Sequence, residues 1–170
     1  MVAAVLPRPR RSTLTSGVTE KLVIRRAGLA DLDAIKSIAD AHRHELGFVL
    51  RPALVRSIAH EEVLAAEHSQ ELIGFVEYHH RQDRQTTVYH IAVVPNYRQQ
   101  GVGRALIENL YKEVLAHGKQ TVQLKCPADL PAQGFYARLG FRISGKETGK
   151  SRPLVVWILQ LPLSEPECVV

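Results

Sequence analysis

The sequence contains little cysteine and no long apolar segment. Its two cysteines, Cys126 and Cys168, fit neither a metal-ligand spacing nor the framework of a disulfide-stabilised domain. Uninterrupted apolar runs stay well below the length of about 18 residues that a membrane-spanning helix needs. We therefore expect no membrane span. Free cysteines suit a reducing compartment, so a cytoplasmic location is predicted.

The remaining composition is that of one globular domain with a basic charge. The chain has 170 residues, of which 45% are hydrophobic and 23% charged, so there is enough apolar material to bury a core. The net charge of +5 favours an anionic ligand, such as nucleic acid, an acidic surface or a polyphosphate cofactor. Because the basic residues are scattered outside residues 1–19, no nucleic-acid partner is expected.

Hydrophobic periodicity predicts one domain over 20–163, with a flexible basic tail over 1–19 and a frayed C-terminus over 164–170. Helical spacing predicts helices over 31–47, 51–60 and 102–117, and a short helix between Pro131 and Gly140. Segments rich in strand-forming residues predict strands over 21–26, 62–67, 72–79, 87–94, 121–126, 141–144 and 154–161.

The order of these elements predicts how the sheet is arranged. The three strands over 62–94 follow one another through short turns, as in an antiparallel meander. The strand ending at Val94, the helix over 102–117 and the strand over 121–126 form a crossover unit, which makes the two strands parallel. The predicted fold class is therefore α/β (α+β), with a mixed, mainly antiparallel central sheet flanked by helices.

The segment RQQGVGR, residues 98–104, carries the strongest functional signal. It lies between a predicted strand and a predicted long helix, where backbone N–H groups and the positive end of the helix dipole favour a phosphate. Its spacing excludes two nucleotide-binding loops. Arg104 and Ala105 stand where an NTPase phosphate loop needs lysine and then serine or threonine, and Leu106 stands where a dinucleotide fingerprint needs a third glycine.

Two longer segments resemble the GNAT superfamily of acyl-CoA N-acyltransferases. HIAVVPNYRQQGVGRALIENL is similar to the family's strand ending in small-Val-x-Pro, followed by Arg/Gln-x-x-Gly-x-Gly/Ala and a long helix. QLKCPADLPAQGFYARLGF is similar to its second motif, Asn-x-x-Ala-x-x-Phe-Tyr followed by Gly-Phe, with Asp129 replacing the asparagine. The order of elements from Lys21 to Leu161 also agrees. The resemblance implies a single GNAT-like N-acetyltransferase domain.

The resemblance also implies acetyl-CoA as cofactor and a set of residues that bind it. The pantetheine arm would lie along Ile91, Ala92 and Val93, and a strand amide near Val93 would bind the oxyanion. Asp129 would accept a hydrogen bond from pantetheine, although it cannot donate one as asparagine does. The pyrophosphate would bind to the loop and helix start, formed by Arg98, Gln99, Gln100, Gly101, Val102, Gly103 and Arg104.

For catalysis, the resemblance implies that Tyr136 protonates the departing thiolate. The general base is not identified, because Leu124 occupies a position where many family members have glutamate. A base is needed because an aliphatic amine, with a pKa of about 10.4, is mostly protonated at neutral pH. The candidates that remain are Glu77, His79, His90 and Asp129.

An amine is the acceptor that this chemistry implies. We expect it to bind between the predicted helices over 31–60 and the loops over 81–85 and 145–152, the second of which is polar and rich in glycine. The sequence leaves open whether the amine belongs to a small molecule, a peptide or a protein. It also leaves open whether the protein forms a homodimer.

Alternatives from other classes remain at this stage. The missing glutamate at Leu124 also fits a non-catalytic acyl-CoA sensor or regulatory module. The basic residues 1–19 fit a nucleic-acid-binding module with steep salt dependence. No metal site is expected, because His42 and His44 point apart on a helix and no ligand cluster completes a site. Cys126 is predicted to be a buried structural cysteine and not an acyl carrier.

Gly103→Glu should weaken the binding of acetyl-CoA about tenfold or more, because its side chain crowds the loop and its charge repels phosphate. Isothermal titration calorimetry with CoA measures the change in dissociation constant. An unchanged affinity would contradict the assignment of this loop to the coenzyme.

Overall fold

The computed structural model describes residues 21–162, so the predicted tail over 1–19 and the predicted C-terminus over 164–170 lie outside the described residues. The strands are β1 (Val23–Arg26), β2 (Val63–His68), β3 (Glu71–His80), β4 (Gln85–Val93), β5 (Thr121–Pro127), β6 (Arg142–Thr148) and β7 (Pro153–Gln160). The helices are α1 (Leu32–Ala41), α2 (Arg43–Leu46), α3 (Arg51–Ala59), α4 (Val102–Ala116) and α5 (Gln133–Arg138).

The seven strands form one sheet in the order β1-β2-β3-β4-β5-β7-β6. All neighbouring strands are antiparallel except β4 and β5, which are parallel and are joined through α4. The β3–β4 connection is a short turn, whereas the β4–β5 connection needs a helix because parallel strands start at the same end. The predicted fold class and the predicted parallel pair are confirmed.

Two hydrophobic layers hold the helices to opposite faces of the sheet. On one face, apolar residues of α4 such as Leu106 and Leu110 pack against Val76, Val122 and other strand residues with little or no exposure. On the other face, α1 and α3 cover a second cluster. Each fully buried side chain of this size contributes about 1.5–3 kcal/mol relative to exposure. The helices are therefore fixed to both faces of the sheet.

Two predicted segments differ from the structure. The helix predicted over 31–47 is two helices, because the backbone of His42 leaves the helical region with φ −109° and ψ 24°. The loop predicted over 145–152 is also partly wrong, because β6 continues to Thr148 and pairs with β7 there. Polar residues on an exposed edge strand resemble a loop in sequence, and pairing with β7 decides their conformation.

The strands β4 and β5 separate in the middle of the sheet. Their pairing covers only Gln85↔Thr121 to Val88↔Leu124. Opposite β3, Tyr89 is an extra residue in β4, since Val88 pairs with Tyr78 and the next pair is His90↔Glu77. Such a bulge bends a strand and increases its twist. No strand within residues 21–162 covers this edge of β4 beyond Val88, and a wedge opens beside it.

No helix within residues 21–162 is both long enough and apolar enough to span a membrane. This finding concerns only the described part of the chain.

Gly74→Ala should lower the free energy of unfolding by about 1–3 kcal/mol through overpacking. A Cβ atom on Gly74 would lie 2.8 Å from the carbonyl oxygen of Ala92, which belongs to the backbone of β4 and cannot move without disturbing that strand. Urea unfolding measures the loss. Gly145→Ala is the matched control, because nothing lies within 4 Å of its added Cβ. Equal stability of the two variants would contradict the close approach of β3 and β4.

Candidate active site

A cavity of about 570 Å³ lies beside the end of β4. Its walls come from the uncovered edge of β4, the loop before α4 and the α5 region. Most residues expected to bind the coenzyme line it, but Gln100, Val102 and Asp129 do not. Those that line it are Ile91, Ala92, Val93, Arg98, Gln99, Gly101, Gly103 and Arg104, together with Tyr136.

The start of α4 presents backbone N–H groups that have no acceptor within the described residues. Gly101 caps the helix in the left-handed conformation, with φ 85°, and its carbonyl oxygen accepts the N–H of Ala105 at 2.9 Å. The N–H groups of Gly101, Val102, Gly103 and Arg104 donate to no group in this part of the chain. The first N–H groups of a helix lack intrahelical partners and carry the positive end of its dipole. The position is therefore suited to an anion.

Gly103 lets α4 and α5 approach each other at the cavity. A Cβ atom at this position would lie 3.1 Å from Cζ of Phe135, which is tighter than an ordinary contact. The side chain of Phe135 therefore occupies the space that any larger residue at 103 would need. Packing against Phe135 therefore explains why residue 103 is glycine, and Gly103 also lines the cavity.

Arg98 turns its side chain into the cavity. Its Nε donates to the carbonyl oxygen of Val93 at 2.9 Å, and its terminal nitrogens lie 3.3 Å from the carboxylate of Glu45 on α2. Arg104, by contrast, pairs with Glu108 on its own helix at 3.7 Å. The two arginines predicted to bind pyrophosphate thus have different partners in the structure.

A second cavity of about 270 Å³ continues the wedge toward the opposite side. It is lined by the α2–α3 connection, by β5 and by the turn Gly149–Arg152, whereas the turn 81–85 lines neither cavity. Glu45 and Tyr136 line both cavities. The two cavities therefore adjoin, and Glu45 and Tyr136 are the residues with an ionisable side chain that line both.

Tyr136 is buried among aromatic rings. Its ring centroid lies 5.3 Å from that of Phe135, 5.9 Å from that of Phe141 and 6.1 Å from that of Trp157. Burial raises the pKa of Tyr136 well above its ordinary value, so the phenol stays protonated. Burial likewise raises the pKa of the nearby Cys126 thiol to about 11, which keeps it a thiol at neutral pH.

Gln133 fixes α5 in place beneath Tyr136. Its amide oxygen accepts the indole N–H of Trp157 at 2.7 Å, and its amide nitrogen donates to the carbonyl oxygen of Pro127 at 2.7 Å and to Sγ of Cys126 at 3.4 Å. One side chain thus ties α5 to both β5 and β7. No sequence pattern indicates this role, because it depends on a contact between residues 24 positions apart.

The side chains considered as general base lie elsewhere. Glu77 accepts hydrogen bonds from Ser57 and His90, each at 2.6 Å, inside the layer between β3 and α3. Burial alone would raise the pKa of Glu77, but these hydrogen bonds hold it below its ordinary value. His79 bonds to Glu62 at 2.7 Å, outside both cavities.

Asp129, the fourth candidate, is paired with Arg152 at 3.2 Å, also outside both cavities. Among the described residues that line the two cavities, Glu45 is the one carboxylate. Sequence reasoning missed it, although it lies in the segment 31–60 expected to contact the acceptor. Within residues 21–162, no three histidine, cysteine or acidic side chains are placed to share a metal ion.

The sequence and the fold match known proteins. The family model described as "Acetyltransferase (GNAT) family" matches residues 32–141. The [Ribosomal protein bS18]-alanine N-acetyltransferase of Escherichia coli K12 is 41% identical over 58 residues, which is 34% of this chain and only 39% of the relative's length. The chain therefore spans about two fifths of that curated relative.

Two solved structures share the fold. Ard1 from Thermoplasma volcanium aligns with a TM-score of 0.75 and 19% identity over 83% of this chain and 98% of its own. PaiA N-acetyltransferase from Thermoplasma acidophilum, solved in complex with coenzyme A, aligns with a TM-score of 0.67 and 18% identity over 80% of this chain and 98% of its own.

Gln133→Leu should lower the free energy of unfolding by about 1–3 kcal/mol, because the buried indole N–H of Trp157 and the carbonyl of Pro127 lose their partner. Trp157 is the chain's one tryptophan, so its fluorescence reports unfolding in urea at this site. Gln160→Leu, which removes an exposed hydrogen bond to Thr121, is the control and should change stability by less than about 0.5 kcal/mol. Equal losses would show that Gln133 does not hold α5.

Proposed function

This chain belongs to the GNAT family of acetyltransferases, and from that premise we propose that it transfers the acetyl group of acetyl-CoA directly to an amine. One observation carries the proposal: the uncovered edge of β4 and the unpaired amides at the start of α4 line the same cavity as the buried phenol of Tyr136. The acceptor amine belongs to a small molecule, a peptide or a protein. The E. coli relative, by its name, acts on an alanine of a ribosomal protein, which supports a peptide or protein acceptor.

The residues at the first cavity fit the coenzyme. A diphosphate suits the amides of Gly101 to Arg104, which are unpaired within the described residues, because they lie at the positive end of the helix dipole and nothing lies within 4 Å of the position of a Cβ atom on Gly101. The amide-rich pantetheine arm suits the backbone edge of Ile91, Ala92 and Val93, which no strand in the described part of the chain covers. The solved structure of PaiA with coenzyme A supports the same ligand.

Bound acetyl-CoA would supply an activated thioester. The chain's own residues would orient it and control protons. A backbone N–H near Val93 would donate to the acyl oxygen, and Tyr136 would hold a proton where the two cavities meet. A free thiol is about 1.5 pKa units more acidic than tyrosine in water, which opposes proton transfer from Tyr136 to a thiolate. Burial raises the pKa of the nearby Cys126 thiol to about 11, but it raises the pKa of Tyr136 as well, so burial by itself does not remove this difference.

The proposal includes a single catalytic domain over 20–163 and a cytoplasmic location, which the free thiol of Cys126 supports. The alternative of a non-catalytic sensor is not favoured. It depended on the absence of an acid at Leu124, whereas Glu45 provides a carboxylate beside Tyr136 at the junction of the cavities.

A thiol-release assay over a panel of aliphatic amines and peptides with free N-termini tests this function. Release of CoA at a rate that depends on both the amine and the protein is the expected result. Calorimetric binding of CoA without thiol release for any amine would overturn the proposed activity and restore the sensor.

Tyr136→Phe should lower kcat about 100-fold or more while leaving the affinity for CoA nearly unchanged, because only the proton donor is removed. Steady-state kinetics and calorimetry measure the two effects. Tyr111→Phe is the matched control, since the hydroxyl of Tyr111 on α4 is buried without a hydrogen-bond partner among the described residues and lines neither cavity. Equal activity of Tyr136→Phe and the parent protein would remove Tyr136 from the mechanism.

A further inference from the structure

The ion pair between Arg98 and Glu45 joins two groups that the proposed reaction would use separately. Arg98 precedes the unpaired amides at the start of α4, where the diphosphate is proposed to bind. Glu45 faces the second cavity as well as the first. Three contacts of 3.3 Å hold the guanidinium against the carboxylate.

The other hydrogen bond of Arg98 uses a group on the coenzyme side. Its Nε donates to the carbonyl oxygen of Val93 at 2.9 Å. Val93 is the last residue of β4 and belongs to the backbone edge along which pantetheine is proposed to lie. Arg98 therefore donates hydrogen bonds to two groups. One is the carbonyl oxygen of Val93, beside the proposed coenzyme site, and the other is the carboxylate of Glu45, which also lines the second cavity.

The pair is open to exchange. The side chains of Arg98 and Glu45 are 40% and 28% exposed, so water screens their attraction and the pair is weaker than a buried one. A diphosphate carries more negative charge than one carboxylate and accepts paired hydrogen bonds from a guanidinium. A diphosphate bound to the amides that follow Arg98 would therefore compete with Glu45 for the same side chain.

Glu45 would stay in place when Arg98 leaves. Arg152, from the turn between β6 and β7, donates to the backbone carbonyl oxygen of His44 at 2.5 Å and approaches that of Glu45 at 3.5 Å. The same guanidinium pairs with Asp129 after β5. Since α2 is held through its backbone, and Nε2 of His44 lies 3.3 Å from Oε1 of Glu45, Glu45 stays beside both cavities without needing Arg98.

We propose that Glu45 binds the ammonium group of the acceptor, which loses a proton to solvent before it attacks the thioester, and that Arg98 masks this carboxylate until the diphosphate of the coenzyme draws Arg98 away. The proposal rests on the function proposed above and adds to it the acceptor class and the order of binding. An acceptor that arrives as a cation, such as an aliphatic amine or a peptide N-terminus, is selected. An uncharged aromatic amine gains nothing from Glu45. Before the coenzyme binds, the charge of Arg98 repels the acceptor.

Glu45→Gln tests the masking by Arg98 and the binding of the acceptor separately, because it should strengthen the binding of CoA and weaken the binding of the acceptor. Releasing Arg98 should tighten CoA binding about two- to fivefold, the range expected for losing a competing exposed ion pair. The same change should raise KM for an aliphatic amine or a peptide with a free N-terminus about tenfold, with KM for an aromatic amine unchanged. Urea unfolding of the variant confirms that it is folded.

The gain in CoA affinity must depend on Arg98. In an Arg98→Gln background, which should itself weaken CoA binding, Glu45→Gln should give no further gain. Glu108→Gln is the matched control, because it removes one acidic partner from Arg104 at the same cavity while Glu108 itself lines neither cavity. This control should leave KM for every amine unchanged and should have the same effect on CoA with and without Arg98.

Calorimetric titration with CoA tests, without any turnover, whether Arg98 exchanges Glu45 for the diphosphate. Unchanged or weaker CoA binding by Glu45→Gln, or a gain that persists without Arg98, would overturn the masking. An unchanged KM for cationic amines would overturn the role of Glu45 in acceptor binding. If the parent protein released no thiol with any amine, the proposed function would be overturned, and so would the role of Glu45 in acceptor binding. The CoA titrations would still decide whether Arg98 leaves Glu45 for the diphosphate.

Discussion

The separation of β4 from β5 after Leu124 is the constraint on which the site depends. Hydrogen bonding within the sheet would normally continue along both strands. Here Tyr89 adds a residue to β4, while β5 keeps its pairing with β7 as far as Pro127. One edge of β4 therefore pairs with β5 only as far as Val88, whereas the other edge stays paired with β3. A backbone edge without a partner strand inside a packed sheet is available to a ligand that carries amides.

The elements around this wedge supply complementary chemistry. The start of α4 supplies N–H groups and a positive dipole end, and α5 supplies a buried phenol held by the contacts of Gln133. On the opposite side, α2 supplies the carboxylate of Glu45. A favourable site for an anion and a favourable site for a cation therefore lie in two adjoining cavities. The ion pair of Arg98 with Glu45 is the electrostatic link between them.

Local signals were sufficient for most of the fold and for most of the residues that line the first cavity. Apolar spacing over α4 and β-branched content in the strands are properties of neighbouring residues, so periodicity finds them. Gly101 and Gly103 follow the same logic, because a left-handed helix cap and a close contact need glycine wherever the fold places them. The polar edge strand β6 was partly missed, since its pairing with β7 is a contact between segments that its composition does not reveal.

The sequence by itself determined the class of fold, the parallel pair around α4 and a phosphate-favouring loop at the start of that helix, because each depends on short-range order along the chain. Only the tertiary structure decided which charged groups face the cavities. It buried Glu77 with His90 and Ser57, paired Asp129 with Arg152, and brought Glu45 from α2 to Arg98, which lies 53 residues later in the chain. Such contacts depend on how helices pack across a sheet, and no spacing along the sequence encodes them.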